Sequence, residues 1–308
     1  MVDLAQLIKL QDYVSRYEWN AFRYPSQYIR LKQENWKKLN YLWNNPEENV
    51  EDESNAAETA TKLSWWKSLI RKENEQEEVH QQQKEQLPDT ESELKQYFLD
   101  KLLLIQLKWA TSTVTDLSFI DKTYYNNSTL KYFLQRFPDT YLVMYYPIFN
   151  IKNAPIDGEI IVISPIGIEI IILVEENEKA TIMAGEERTW TVETGQEQKR
   201  ILSPLIALKR TEQIVKSILS KIDLDFPVEK TVLSRKNHIV FSNAPYNTKV
   251  VDRIGYEQWF KQKRLLVSPL KNRQLKAAEA LLNHCQTTSV KRPEWEEDSN
   301  TFHFMDEE

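Results

Sequence analysis

The sequence predicts an α/β chain of the α+β kind: an N-terminal α-helical hairpin or bundle, an acidic linker, then a core mixing strands and helices. Three observations carry this prediction. Apolar residues recur at helical spacing over residues 4–44 and 89–113. Beyond residue 115, branched and aromatic runs bounded by Pro and Gly take over, as strands require. Between the two regimes, residues 47–93 hold fourteen acids against five bases, a net of −9, so the rest of the −6 chain carries +3.

Composition excludes several classes. The chain has 308 residues and only five glycines: Gly158, Gly167, Gly185, Gly195 and Gly255. Phosphate loops need clustered glycines for tight turns and close backbone approach, so dinucleotide and P-loop fingerprints are excluded. The single cysteine, Cys285, makes neither an internal disulfide nor a cysteine metal cage, which suits a reducing compartment. Apolar residues at 41% suffice for a sizeable core. The first residues lack a charged segment followed by an apolar one, so no secretory signal is expected. The longest apolar stretch, 160–174, is interrupted by Pro165, Gly167 and Glu169 and is shorter than the ~20 residues of a membrane helix. A soluble cytoplasmic protein is the expectation.

The elements follow in order. Leu4, Leu7, Ile8, Leu10, Val14 and Tyr17, then Ile29, Trp36, Leu39, Leu42 and Trp43, predict a helical hairpin over 1–44 with Pro25 dividing it. Residues 45–88 read as a flexible acidic linker. Within it, Trp65, Trp66, Leu69 and Ile70 stand among three bases over 63–72, which fits a partner's groove or peripheral contact with a membrane surface. Thr90 and Glu93 have capping-box spacing and open a helix over 89–113 that packs on the hairpin.

In the core, assigned to 114–267, a helix is predicted over 128–137 and a strand over 141–149. Strands at 159–163 and 168–174 flank the turn Ser164-Pro-Ile-Gly167. The second is apolar on both faces apart from Glu169, the mark of a central strand. Short strands at 190–192, 199–201 and 238–242 and a helix over 204–220 complete the core. A C-terminal helix is assigned to 268–290, opened by Ser268-Pro269 and running to about His284, with an acidic tail over 291–308.

Glu159-Ile-Ile-Val-Ile-Ser-Pro-Ile-Gly-Ile168, a branched strand, Trp190, then Ile201-Leu-Ser-Pro-Leu205 opening a helix resemble the nuclease-related domain (NERD) family. The resemblance spans roughly residues 120–245 and implies a restriction-endonuclease-like core. Such proteins are expected to cleave DNA with a metal-binding acid, a Glu-x-Lys pair on the next strand and a helical glutamine. Two carboxylates would hold Mg²⁺, while the lysine orients the attacking water. Placed on this motif, the acid falls on Glu159, with Asp157 two residues before it, as a vestigial metal pair. The Glu-x-Lys positions fall on Ile172, Leu173 and Val174, and the glutamine on Ala207. Asn126, Asn127 and Ser128 occupy the region where an early helical acid is expected. The resemblance therefore implies a degenerate, catalytically inactive nuclease core acting as an interaction or regulatory scaffold for a protein partner, with no cofactor. An alternative is a nuclease with a rearranged Mg²⁺ site drawing on Glu175, Glu176, Glu178 and Lys179.

Residues 258–278 contain Lys261, Lys263, Arg264, Lys271, Arg273 and Lys276 and no acid, beside Trp259 and Phe260. Positive charge next to aromatic rings suits nucleic-acid contact without cleavage, a further alternative. The four histidines, His80, His238, His284 and His303, have no zinc spacing and are expected to be structural or solvent-facing.

Overall fold

The computed structural model describes residues 4–45, 87–185, 188–241 and 243–292. The fold is mixed α/β. Its centre is a six-stranded sheet in the order β1-β3-β6-β7-β11-β13. These strands are β1 (Gln6–Leu10), β3 (Leu142–Tyr145), β6 (Ile160–Ser164), β7 (Gly167–Leu173), β11 (Val228–Leu233) and β13 (Lys249–Val251). All run parallel to one another except β6, which is antiparallel to both β3 and β7.

The first strand overturns the helix expected at the N-terminus. Residues 4–10 are buried throughout, and β1 pairs in parallel with β3. A strand covered on both faces reads as a continuous apolar run, which spacing alone does not separate from a helix. Its two polar residues are satisfied inside. Gln6 Nε2 donates to the carbonyls of Asp139 at 2.7 Å and Pro25 at 3.2 Å. Lys9 Nζ donates to the Tyr13 carbonyl at 2.8 Å and pairs with Glu18. The N-terminal residues thus belong to the same sheet as the predicted core.

After a short helix α1 (Arg16–Trp19) comes the long α2 (Arg23–Asn44). Pro25 does not divide two helices; it lies in the first turn of α2, where its missing N–H breaks no helical bond. Helix α3 (Glu91–Trp109) starts at the expected capping box, with Thr90 and Glu93 each bonding the other's backbone. It packs on α2 through Trp36 and Phe98, whose ring centres are 5.1 Å apart, and through Trp109 against Tyr24 and Tyr28.

The predicted strand over 141–149 is two: β3 and β4 (Ile148–Ile151), which pairs with β5 (Ala154–Asp157). They part at Tyr146, whose φ of 48° breaks the extended backbone. Between α3 and β3 lie β2 (Asp116–Leu117) and α4 (Ser128–Gln135). The β6–β7 hairpin is as expected, and β7 sits centrally between β6 and β11. A second sheet, in the order β10-β9-β8-β12, comprises β8 (Thr181–Ala184), β9 (Thr189–Thr194), β10 (Glu197–Leu202) and β12 (His238–Phe241). Trp190 of β9 is fully buried beneath it.

Helix α5 (Pro204–Lys221) packs on β7 and β11. Side chains alternate across a strand, so Glu169 faces away from Ile168 and Ile170. Helix α6 (Tyr256–Arg264) meets the Glu169 face through Trp259, and α5 meets the other. The C-terminal helix α7 (Asn272–Leu282) is shorter than expected. Beyond it the chain is extended: Gln286 N–H donates to the Ile148 carbonyl at 2.7 Å, Thr288 N–H to Asp12 at 2.7 Å, and β14 (Val290–Lys291) pairs with β2. No helix of the described residues is long and apolar enough to cross a membrane.

Candidate functional site at the carboxyl ends of the strands

The parallel strands place their carboxyl ends together, and β6 brings its amino end to the same edge. Ligands in open α/β sheets bind at such an edge. Here lie Tyr146, Glu159, Val174, Glu175, Arg235 and Asp252.

Glu159 is positioned by its neighbours. A Cβ on Gly158 would stand 2.9 Å from the Phe149 ring and 3.1 Å from the Pro147 carbonyl, so only glycine lets the chain pass this closely. The next N–H, that of Glu159, donates to Thr211 Oγ1 of α5 at 3.2 Å. Thr211 Oγ1 in turn donates to the Ala207 carbonyl at 3.1 Å. One hydroxyl thereby joins the strand carrying Glu159 to the helix position expected to carry glutamine.

The β6–β7 ladder ends at Ile160 opposite Ile171, so its next step brings Glu159 beside Ile172. Alternation then puts Glu159, Ile172 and Val174 on the α5 face of the sheet. Ile172 and Val174 are half-buried and pack on the core. Burial pushes the Glu159 carboxyl above its ordinary range; Arg210 pulls against this, and Asp157 adds to it. Asp157 itself ends β5, exposed, opposite Ile148.

The charged turn after β7 is committed elsewhere. Arg235 Nε donates to Glu175 Oε1 at 2.6 Å and Nη2 to Oε2 at 2.8 Å, while the Arg235 N–H also reaches Oε1 at 3.1 Å. The guanidinium lies 4.4 Å from the Tyr132 ring centre, and Tyr256 Oη donates to Tyr132 Oη at 3.0 Å. Burial alone would raise the Glu175 carboxyl, but the Arg235 bonds and charge outweigh it and hold the group below its ordinary range. Glu176 pairs with Lys199 at 3.1 Å, and Asn237 holds the turn by donating to the Asn177 and Ala180 carbonyls.

A divalent cation such as Mg²⁺ needs several oxygen ligands at once. The positions expected to complete a metal site with Glu159 are Ile172, Val174 and Ala207, whose side chains carry no ligand oxygen, and both Glu175 oxygens are occupied, so these residues do not fit the ion. Among the described residues no three of His, Cys, Asp or Glu gather at metal-binding reach.

The sequence reading missed one arrangement at this edge. His238 Nδ1 lies 3.2 Å from Asp252 Oδ2, and Arg253 Nη2 lies 2.6 Å from His238 Nε2. The Arg253 donor makes Nε2 an acceptor, which fixes the proton on Nδ1 facing Asp252. His284 bonds the Ala280 carbonyl, and burial pushes the neighbouring Cys285 thiol up to about 12, which makes it a poor nucleophile.

The basic residues are divided between helices. Lys261, Lys263 and Arg264 end α6, on the Glu169 face of the sheet; Lys271 is the N-cap of α7, and Arg273 and Lys276 belong to that helix, which packs on α5. Lys263 turns inward to Glu169 at 2.6 Å, and Arg273 donates to the Asp225 carbonyl. Lys261, Lys271 and Lys276 are exposed. Trp65, Trp66, Leu69 and Ile70 lie outside the described residues, as do His80, His303 and, from 293 onward, the assigned acidic tail, whose first residue, Lys291, belongs to β14.

The chain is similar to an RNA 2',3'-cyclic phosphodiesterase from Geobacillus stearothermophilus, at 34% identity over 113 residues. That stretch is 33% of this chain and 36% of the relative, so the chain spans about a third of the length of the curated protein it matches. No family model and no solved structure matches it.

Proposed function

We propose that this chain is a NERD-like protein with a restriction-endonuclease-like core that does not cleave nucleic acid and serves as a scaffold for a protein partner. One observation carries the reading. The Thr211 hydroxyl ties the Glu159 backbone to Ala207, and Ile172 is its next cross-strand neighbour, so two of the positions expected to carry catalytic groups stand near Glu159 as alkyl residues. Alkyl groups there stabilise the fold by burial and neither hold a cation nor orient water. Glu175 supports the same reading, since Arg235 supplies the counter-charge that a metal ion would supply in an active enzyme.

The partner is expected on the added N-terminal elements, and truncation cannot test this cleanly because β1 is integral to the central sheet. Exposed Trp19 and Tyr41 are the better probes. Pull-down by the full chain, compared with Trp19→Ser and Tyr41→Ser, tests the scaffold reading. A partner retained equally by both variants moves the contact elsewhere on the surface. Cleavage of DNA with Mg²⁺ or Mn²⁺, abolished by Glu159→Ala, overturns the reading.

The relative supports a second reading, action on a 2',3'-cyclic phosphate at an RNA end. His238 is held on Nδ1 by Asp252 and on Nε2 by Arg253, so proton transfer from it requires a bound phosphate to draw Arg253 off Nε2. Hydrolysis of a cyclic-phosphate-terminated oligoribonucleotide, lost in His238→Ala, would establish this reading; no hydrolysis by the folded chain removes it.

A further inference from the structure

A second cleft lies at the amino end of β7, at the opposite end of that strand from Glu159. It has a volume of about 500 Å³ and is bounded by the β6–β7 turn, β11, β13 and the last turn of α6. Its floor is Glu169, 5% exposed in the middle of the sheet. Glu169 Oε1 accepts from Thr231 Oγ1 at 2.5 Å and Trp259 Nε1 at 3.1 Å, and Oε2 pairs with Lys263 Nζ at 2.6 Å. Three donors therefore occupy the two carboxylate oxygens.

Lys263 is the opposite case. An ammonium has three N–H donors, and among the described residues only Glu169 accepts from this one. Lys249 on β13 also borders the mouth and is exposed. The walls are apolar: Val162 below, then Leu266, with Leu265 and Ile166 exposed at the rim to 65% and 63%. Apolar side chains bordering a charged floor are the pattern of a small-molecule pocket, in which a few polar groups fix orientation. Glu229 also borders the mouth and is exposed, so its charge and that of Lys249 oppose each other through water.

We infer that this cleft binds a small amphipathic anion, with a carboxylate or phosphate head on Lys263 and an apolar body against Leu265, Leu266 and Ile166. This assignment also gives Lys263 a role distinct from nucleic-acid backbone contact, because the lysine faces a buried acid and apolar walls.

Calorimetric titration of the full chain tests it with four probes: octanoate, octyl phosphate, inorganic phosphate and octylamine. Binding of octanoate or octyl phosphate, with one site per chain, is expected, and whichever binds tighter identifies the head group. In the double variant Glu169→Gln with Lys263→Gln, the amide keeps the Thr231 and Trp259 bonds while the ammonium is gone. Affinity should fall about tenfold or more, the worth of a hydrogen bond to a charged group. Leu265→Asp, at an exposed position, should weaken binding by a similar factor and decides the matter where the double variant does not fold. The proposal is overturned by silence from both octyl anions, by equal affinity for octylamine or inorganic phosphate, or by binding that ignores Leu265→Asp in the folded protein.

Discussion

Arg235 closes on Glu175 with two parallel N–H donors, at 2.6 and 2.8 Å, across sixty residues of sequence. The pair caps the carboxyl ends of the adjacent strands β7 and β11 and lies on the Tyr132 ring. Arg235→Ala leaves Glu175 partly buried without its donor, and stability should fall by about 1–3 kcal/mol in urea denaturation, the cost of an unsatisfied buried charge. Glu175→Gln should cost less, because a neutral amide keeps one acceptor.

The same pair sets a pH dependence. The Glu175 carboxyl is held below its ordinary range in the fold, so the unfolded chain binds the proton more readily. Its stabilisation is fully present above the unfolded value and is lost as pH falls through the folded one. Chemical denaturation of wild type and Glu175→Gln from neutral to acidic pH checks this: the difference between them should shrink as the solution is acidified.

Glu159 has the reverse sign. Its carboxyl is raised, chiefly by burial, so the fold holds the proton more tightly than the unfolded chain. Ionisation therefore costs stability as pH rises through the unfolded value toward the folded one. Glu159→Gln should be at least as stable as wild type at neutral pH and should gain nothing at acidic pH. A large loss at neutral pH would mean that the carboxylate has a cationic partner beyond Arg210.

Gly158 should not tolerate a side chain. Gly158→Ala forces a methyl to within 2.9 Å of the fully buried Phe149 ring, and overpacking of this kind costs about 1–3 kcal/mol. The measurement is a urea midpoint, and a change under about 0.5 kcal/mol would show that Phe149 gives way freely.

Local chemistry made some elements legible. The Thr90 and Glu93 capping box, the Ser164–Gly167 turn and the proline-initiated helix at 204 all depend on residues close in sequence, and all appear where expected. β1 did not, because a strand buried on both faces carries the same apolar run as a buried helix. The short helix 256–264 was hidden by its charges: Glu257, Lys261 and Arg264 are exposed and only Trp259 is buried. At the candidate site, Glu159, Ile172, Val174 and Ala207 could be named from the sequence as the positions expected to form one site. The Arg235 and Asp252 partners were not, since each depends on which strands neighbour one another.

The central claim is that the Glu159 corner does no metal-dependent phosphodiester cleavage. The direct test incubates the purified full chain, and its Glu159→Ala variant, with single- and double-stranded DNA in Mg²⁺ and in Mn²⁺. The account predicts intact DNA in every lane and identical behaviour of the two proteins. Cleavage by wild type that needs the metal and disappears with Glu159→Ala would contradict it.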